Sequence, residues 1–448
     1  MANSSLNRTI SSPSNADKVT ISAWVKRSAP SSSNVIIGEY VDSNNRSKLQ
    51  FKSDDTLEFF QFNSGSTQAQ LRTNRLFRDV NAWYHIVFQY DSAQASSSDR
   101  IKLWINGFQE TSFSIATYPS QNIDMRLNKS GADVHIGEDG NNGTYFDGYI
   151  SHIALVDNAI VAPTSFGSTD STSGIWKFKP PSGVTWGNNG FHLKFENSGA
   201  LGTDSSGNSN TFTVNGNLKQ ALDTPSNVHA TINGVNKGPY FAGTLSNGNL
   251  SHTGISSGNY YTPGSTLRVS SGKWYAEFKC QATTNWAYVG VDTRNLTATG
   301  DWIGKTATGW GYLGGSSAGG SNSLNHNNSQ SSYGDTYATN DIIGVALDLD
   351  NKKLYFHKNG TYQNSGVPTS GSTGTGAVDI STIGDDVYFG ASNWSGTYTA
   401  GWDFNFGNGF FGTTAITSAG SNGNGSLFEY DVPSGYYALN TKNINTYG

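Results

Sequence analysis

The chain has 448 residues and a formal net charge of −5; 53 residues are Gly, 12% are aromatic and only 14% are charged. That balance excludes the basic phosphate-binding stripe of a nucleic-acid binder, the charged-residue supply of long amphipathic helices, and, window by window, an apolar span that could cross a bilayer as a helix. Since a single core stops growing at roughly 250 to 300 residues, the length predicts two domains.

In chain order, the start MANSSLNRTISSPSNADKVTISAW lacks the basic end and apolar stretch of a secretory signal, so export by that route is not expected. Strands are predicted at VTISAWVKR (Val19 to Arg27), NVIIGEYV, KLQFKS, TLEFFQF, WYHIVFQYD, IKLWIN, ADVHIGE and GYISHIALVD. In the first of these Val19, Ile21, Ala23 and Val25 alternate with Ser22, Trp24 and Lys26, which predicts one buried face and leaves Trp24 something to cover or bind. IKLWINGFQE (Ile101 to Glu110) places Asn-Gly between two alternating runs, a two-residue hairpin signal because both turn positions need positive φ.

The middle of the chain is rich in Gly, Ser and Asn, yet FHLKFEN and NTFTVNG alternate like strands, so this stretch is expected to add strands or pack across both sandwiches. The second half repeats the hairpin design in KLYFHKNGTYQ (Lys353 to Gln363), preceded by DIIGVALDLD. There Ile343, Val345, Leu347 and Leu349 share one face, and Leu354 and Phe356 return along it. Cys280 is the only cysteine, so no intrachain disulfide and no thiolate metal site can form, and the chain can fold in a reducing cytosol.

ISAWVKR, the Trp-Tyr-His-Ile-Val strand, IKLWINGFQ and HIGED with FDGYISHIALVDNAI together resemble a laminin-G or concanavalin-like lectin module over about Ser5 to Gly167. GKWYAEFK, YVGVD, GWGYLG, NDIIGVALDLDNKKLYFHKNG, VYFGASNWSG and FNFG resemble a SPRY domain over about Ser265 to Phe411. The expected fold class is therefore all-β, two concanavalin A-like, jelly-roll type antiparallel β-sandwiches in tandem. The expected divisions are 1–167 (lectin-like), 168–264 (connecting, with added strands), 265–412 (SPRY-like) and a C-terminal extension, 413–448, packed on the sandwich. With the ending FEYDVPSGYYALNTKNIN, the order of modules resembles tandem laminin-G-like and SPRY virion proteins of tailed, especially marine, bacteriophages. That resemblance implies a component assembled in the host cytoplasm and exposed on the particle. Its implied roles are a tail fibre or fibre-tip knob recognising a host-surface glycan or receptor, or a capsid decoration binding other virion proteins. It implies a homo-oligomer or many copies per particle, with no nucleic-acid partner and no membrane insertion.

Catalysis is not expected. Concanavalin-like hydrolases set two carboxylates on one strand in a Glu-x-Asp-x-x-Glu pattern, whereas Glu138 and Asp139 are adjacent and Asp348 with Asp350 ends a hairpin. The eight histidines show no HExxH or H-x-H spacing, and His85 and His357 read as packed strand residues. No cofactor is required. Calcium is a candidate ion, because laminin-G-like modules often hold one on the rim. EDGNNGTYFDG supplies Glu138, Asp139, Asn141, Asn142 and Asp147 as oxygen donors, and TDSSGNSN (Thr203 to Asn210) is a second candidate loop, although these are also ordinary turn residues. For a sugar, which stacks its C–H patches on aromatic faces, the candidates are Trp286, Trp302, Trp310, Tyr312, Trp394 and Tyr398 in the SPRY-like half, while Trp274 and Tyr275 read as core.

Overall fold

Two short chemical devices set each half of the molecule: alternating apolar strands that pair into sheets, and an Asn-Gly turn that fixes their register. The computed structural model describes residues 3–235, 243–253, 260–261, 264–282, 286–294, 301–314, 322–394, 401–416 and 418–448, with backbone alone at 260–261 and 393–394. The chain divides into two compact units, Met1–Gln220 and Ala221–Gly448.

In the first unit an eight-stranded sheet runs in the order Phe113–Thr117, Ser66–Leu76, Thr56–Asn63, Asn45–Phe51, Asn34–Asp42, Asp133–Ile136, Ser5–Thr9, Thr213–Asn215. A six-stranded sheet runs Phe191–Leu193, Gly148–Asp157, Lys18–Arg27, Tyr84–Asp91, Ile101–Ile105, Phe108–Glu110. The expected alternation holds: Val19, Ile21, Ala23 and Val25 lie in one core with Ile86, Phe88, Leu103, Phe59 and Phe51. The FHLKFEN and NTFTVNG runs each supply an edge strand here, at Phe191–Leu193 and Thr213–Asn215.

In the second unit the larger sheet runs Thr244–Ser246, Ser251–Thr253, Gly401–Asn405, Lys273–Ala282, Ile342–Asp348, Lys353–Lys358, Thr361–Tyr362. The facing six-stranded sheet runs Tyr260–Tyr261, Tyr388–Trp394, Ala287–Asp292, Trp310–Leu313, Ser323–His326, Ser329–Ser332. Ile343, Val345, Leu347, Leu349, Leu354 and Phe356 line the core between them. Gly401–Asn405 occupies one edge of Lys273–Ala282 only from Glu277 onward, and Tyr437–Ala438 pairs in parallel with the remaining Trp274–Tyr275.

The two hairpins are built alike. Asn106 and Gly107 have φ of 49° and 81°, Asn359 and Gly360 of 48° and 86°, the pairing that positive-φ turns require. Each Asn also closes the neighbouring strand. The Asn106 N–H donates to the His85 carbonyl at 2.8 Å and its Oδ1 accepts the His85 N–H at 2.8 Å. Asn359 makes the same two bonds with Ile342, also at 2.8 Å. The side chain thus replaces the acceptor the ladder would have lost at its turn. Asn106→Ala and Asn359→Ala are each expected to cost about 1–2 kcal/mol, from one stranded N–H and a non-Gly residue without a polar side chain at positive φ. Urea titration of the two variants reads this directly, and Asn→Gly should cost less because it removes only the acceptor.

In both units the sheet that carries the hairpin has its outer face covered. Over the first, Val161 and Phe166 pack on Val87, Ala154 and Val156. Trp24, left unassigned by the strand pattern, stacks on His85 with centroids 4.7 Å apart and meets the edge of Phe178. His85 is fully buried, and its tautomer follows from its partners: Trp176 Nε1–H donates to Nδ1 at 3.0 Å, so Nε2–H donates to Ser22 Oγ at 2.9 Å. Over the second, Phe428, Val432, Tyr436 and Ala438 pack on Tyr275, Ala346 and Tyr355. Trp274 and Tyr275 are both buried as expected, but on opposite faces of one strand: Trp274 between the sheets, Tyr275 beneath this C-terminal segment.

Candidate functional site

On the outer face of the six-stranded sheet in the second unit, two half-buried tryptophans flank a buried tyrosine. Alternation along Ala287–Asp292 sends Ala287, Val289 and Val291 to the core and Tyr288 outward. Trp286, half-buried, lies beside Tyr288 with centroids 6.5 Å apart and planes 17° from parallel. Trp302, also half-buried, stacks on Tyr288 with centroids 6.2 Å apart and planes 28° from parallel. Tyr288 itself is 1% exposed, so the accessible aromatic surface is that of the two tryptophans.

Trp302 reaches Tyr288 because the segment from Asp301 to Gly309 lies across the sheet. The Ile303 N–H donates to Ser392 Oγ at 2.9 Å. Gly311 makes the approach feasible, since a Cβ there would meet the Ile303 carbonyl oxygen at 2.3 Å. The segment's far end is tied to Asp292, fully buried, whose carboxylate accepts the N–H groups of Thr293 (2.8 Å) and Arg294 (3.1 Å) and the hydroxyls of Thr306 (3.2 Å) and Thr308 (3.2 Å). Burial pushes the Asp292 carboxyl up, and these four donors hold it down. Lys305 Nζ sits 5.1 Å from the Trp302 ring and 3.2 Å from Asp301, and Arg294 reaches Asp301 at 3.5 Å. The result is an aromatic shelf with mixed charge at one end.

The sequence-derived candidates divide. Trp286 and Trp302 are brought together. Trp310 and Tyr312 leave the set, because the strand Trp310–Leu313 turns both inward: Trp310 is 3% exposed and stacks on His326 at 4.3 Å, and Tyr312 is fully buried among Tyr333, Tyr337 and Phe356. Trp394 ends the strand Tyr388–Trp394, one residue beyond the Ala287–Asn393 pair, and so flanks the same end of the ladder as Trp286. The Trp394 side chain and all of Tyr398 lie outside the described residues. Sequence reading missed Tyr288 and Lys305. The alternation of YVGVD could have found Tyr288, whereas Lys305 depends on the path of a loop.

The calcium loop is differently engaged. Asp139 pairs with Lys48 at 2.8 Å and accepts the N–H groups of Asn141 (3.2 Å) and Gly143 (3.4 Å). Glu138 accepts from Ser5 Oγ (3.0 Å) and the Asn142 N–H (2.6 Å) and faces His135 Nδ1 at 3.1 Å. Asp147 contributes its main chain to Ser28 and Asn34. These residues do not fit a calcium ion: an ammonium already holds one carboxylate and the other is filled by hydrogen-bond donors. Asp204, of the second loop, likewise caps its own turn through the Ser206 and Asn210 N–H groups, both at 2.8 Å. Among the described residues no three His, Cys, Asp or Glu side chains gather to hold a metal.

One constellation has catalytic residue types and a structural role. The Gly360 N–H donates to His357 Nδ1 at 3.1 Å, so Nε2 carries the proton toward Tyr275 Oη, 2.6 Å away, and Tyr275 donates to Glu277 Oε1 at 3.0 Å. Glu277 also accepts the N–H groups of Tyr430 (2.9 Å) and Glu429 (2.8 Å) and Asn405 Nδ2 (3.3 Å). All three side chains are at most 1% exposed, which gives a substrate no access and makes this the polar rivet that holds the C-terminal segment to its sheet.

Residues 4–164 match the model of the concanavalin A-like lectin/glucanases superfamily, and residues 273–379 match the SPRY domain model. A concanavalin A-like domain and a SPRY domain stand in tandem in this chain. The fold is all-β, as expected, and both domain types are binding-type modules rather than enzyme families. Of solved structures, the SPRY domain of human HERC1 is 18% identical, with 38% of this chain and 96% of that one covered and a TM-score of 0.30. A stonustoxin structure is 16% identical over 39% of this chain and 27% of that one, with a TM-score of 0.29. A human SPRY domain is 12% identical over 36% and 94%, with a TM-score of 0.28. No curated protein matches the chain.

Proposed function

We propose that this tandem of lectin-like and SPRY modules is a non-enzymatic adhesion protein that recognises a cell-surface glycan through the shelf of Trp286 and Trp302, backed by buried Tyr288. The observation that carries the reading is the pair of half-buried tryptophans, each stacked beside Tyr288 on one sheet face, since sugar rings stack on aromatic faces while a charged group such as Lys305 bonds hydroxyls. The order of modules supports a setting on a bacteriophage particle, as a tail fibre or fibre-tip knob present in many copies. Few contacts per shelf make a monovalent Kd near ~1 mM ordinary, about −4 kcal/mol, and multiple copies raise the overall avidity without new contacts.

Trp302→Ala is expected to weaken binding to extracted host polysaccharide at least fivefold with the melting temperature little changed, as read by affinity electrophoresis. Unaltered binding in both Trp302→Ala and Trp286→Ala would remove the shelf from the account. Release of reducing ends during incubation would show a depolymerase instead.

A further inference from the structure

The first unit also carries half-buried aromatic rings on the outer face of a sheet, on the strands Asn45–Phe51 and Thr56–Asn63. Leu49 and Phe59 point to the core, so Lys48 and Phe60 point outward. Register places Arg46 opposite Phe62 and Lys48 opposite Phe60. Phe62, two residues beyond Phe60 on the same strand, shares its face, and the two rings stack with centroids 5.9 Å apart and planes 23° from parallel. The Arg46 guanidinium lies 5.6 Å from the Phe60 centroid and 5.2 Å from that of Phe62. All three side chains are half-buried.

The charge around this cluster is unequal. Glu58, next along the face, is neutralised by Arg72 at 2.9 Å and bonded by Gln70 at 2.7 Å. Asp139 is neutralised by Lys48. Asp42, at the adjoining turn, accepts from the Asn44 N–H at 2.7 Å and Asn45 Nδ2 at 3.0 Å. Arg46 donates to the Ser43 carbonyl at 2.5 Å and, among the described residues, has no carboxylate within ion-pair distance. Its remaining donors form a fork fixed in place by two aromatic rings, the geometry that takes a carboxylate or sulfate in bidentate fashion. Stacking also removes much of the side chain's rotamer freedom before a ligand arrives, which lowers the cost of binding.

We infer that Arg46, Phe60 and Phe62 form a second glycan site, on the first unit, that takes an acidic polysaccharide: the guanidinium binds the anionic group and the exposed ring edges meet the sugar's apolar patches. This rests on the reading of the chain as a glycan binder, but on a different unit and different residues. It predicts a division of labour in which the first unit selects for charge and the second does not.

The test is affinity electrophoresis of the full chain against a polyuronate, a sulfated dextran and uncharged dextran, with Arg46→Ala and Arg46→Lys. The expected result is binding to one or both acidic polymers, and not to uncharged dextran in the same degree, that falls at least fivefold in Arg46→Ala, is partly kept in Arg46→Lys and weakens with added salt. A preference between polyuronate and sulfated dextran identifies the anion. Acidic-polymer binding that is unchanged in a folded Arg46→Ala overturns the inference while leaving the glycan reading intact. Absence of binding to any polysaccharide, host extract included, overturns both. Phe60→Ala with Phe62→Ala is the second variant, and undiminished binding there also counts against the site.

Discussion

Glu277→Ala is expected to destabilise the second unit by about 4 kcal/mol or more, the largest effect of any single substitution considered. The carboxylate accepts four donors, two of them backbone N–H groups of Glu429 and Tyr430. Each buried donor left without a partner costs about 1–3 kcal/mol. The loss also removes the link between the strand Lys273–Ala282 and the C-terminal segment, so Phe428, Val432 and Tyr436 lose their anchor. Glu277→Gln does not rescue this, because its NH2 group would face two of the four donors. Tyr275→Phe is expected to cost less, about 1–2 kcal/mol, since it breaks one chain of hydrogen bonds and leaves the backbone contacts whole. Urea denaturation gives the energies, and hydrogen exchange should show protection lost first over residues 428–438. A Glu277→Ala protein with parent stability would mean that the C-terminal segment is held by its apolar contacts alone.

The second large effect is acid lability of the first unit. Burial holds His85 down to about 3 and His152 and His192 down to about 4, against an ordinary value of 6.5. A base whose folded value is depressed takes up its proton more readily when unfolded, so stability is complete above pH 6.5 and falls as the pH drops toward 4 and 3. At pH 5 a histidine so held costs about 2 kcal/mol. Protonated His85 could no longer accept the Trp176 N–H, so the cover over the six-stranded sheet should loosen first. In the second unit His252 and His357, both held to about 3, act in the same direction. Glu277 opposes them. Burial pushes its carboxyl up to about 7 against the pull of its hydrogen-bond donors, so its contribution is present below about 4.5, is lost as the pH rises through 7, and returns on acidification. Exchange measured at pH 7 and pH 5 should therefore show protection falling earlier over residues 1–220 than over 221–448. The reverse order would contradict this assignment of buried histidines.

Much of the scaffold was legible because strand alternation and turn chemistry act locally. The face of Val19, Ile21, Ala23 and Val25, that of Ile343 to Leu349, and both Asn-Gly turns are consequences of period-two geometry and of positive φ. What was not legible depends on where one segment crosses another. Trp310 and Trp302 look alike as aromatic residues in Gly-rich sequence; only the inward turn of one strand and the lie of the Asp301–Gly309 segment over Gly311 separate core from shelf. The acidic loop around Glu138 and Asp139 stood open between ion site and ordinary turn because Lys48, its partner, is about ninety residues away in sequence. The pair Phe59–Phe60 did carry a usable signal: adjacent strand positions face opposite ways, so one ring had to leave the core.

We propose that this chain binds glycan without cleaving it, through Trp286 and Trp302 on the second unit and the Arg46 cluster on the first. Affinity electrophoresis of the purified chain in gels containing host polysaccharide, paired with a reducing-end assay on the same mixture, tests it most directly. The account predicts retarded migration that Trp302→Ala diminishes and no reducing ends above background; migration that the polysaccharide leaves unchanged, or steady release of reducing ends, would contradict it.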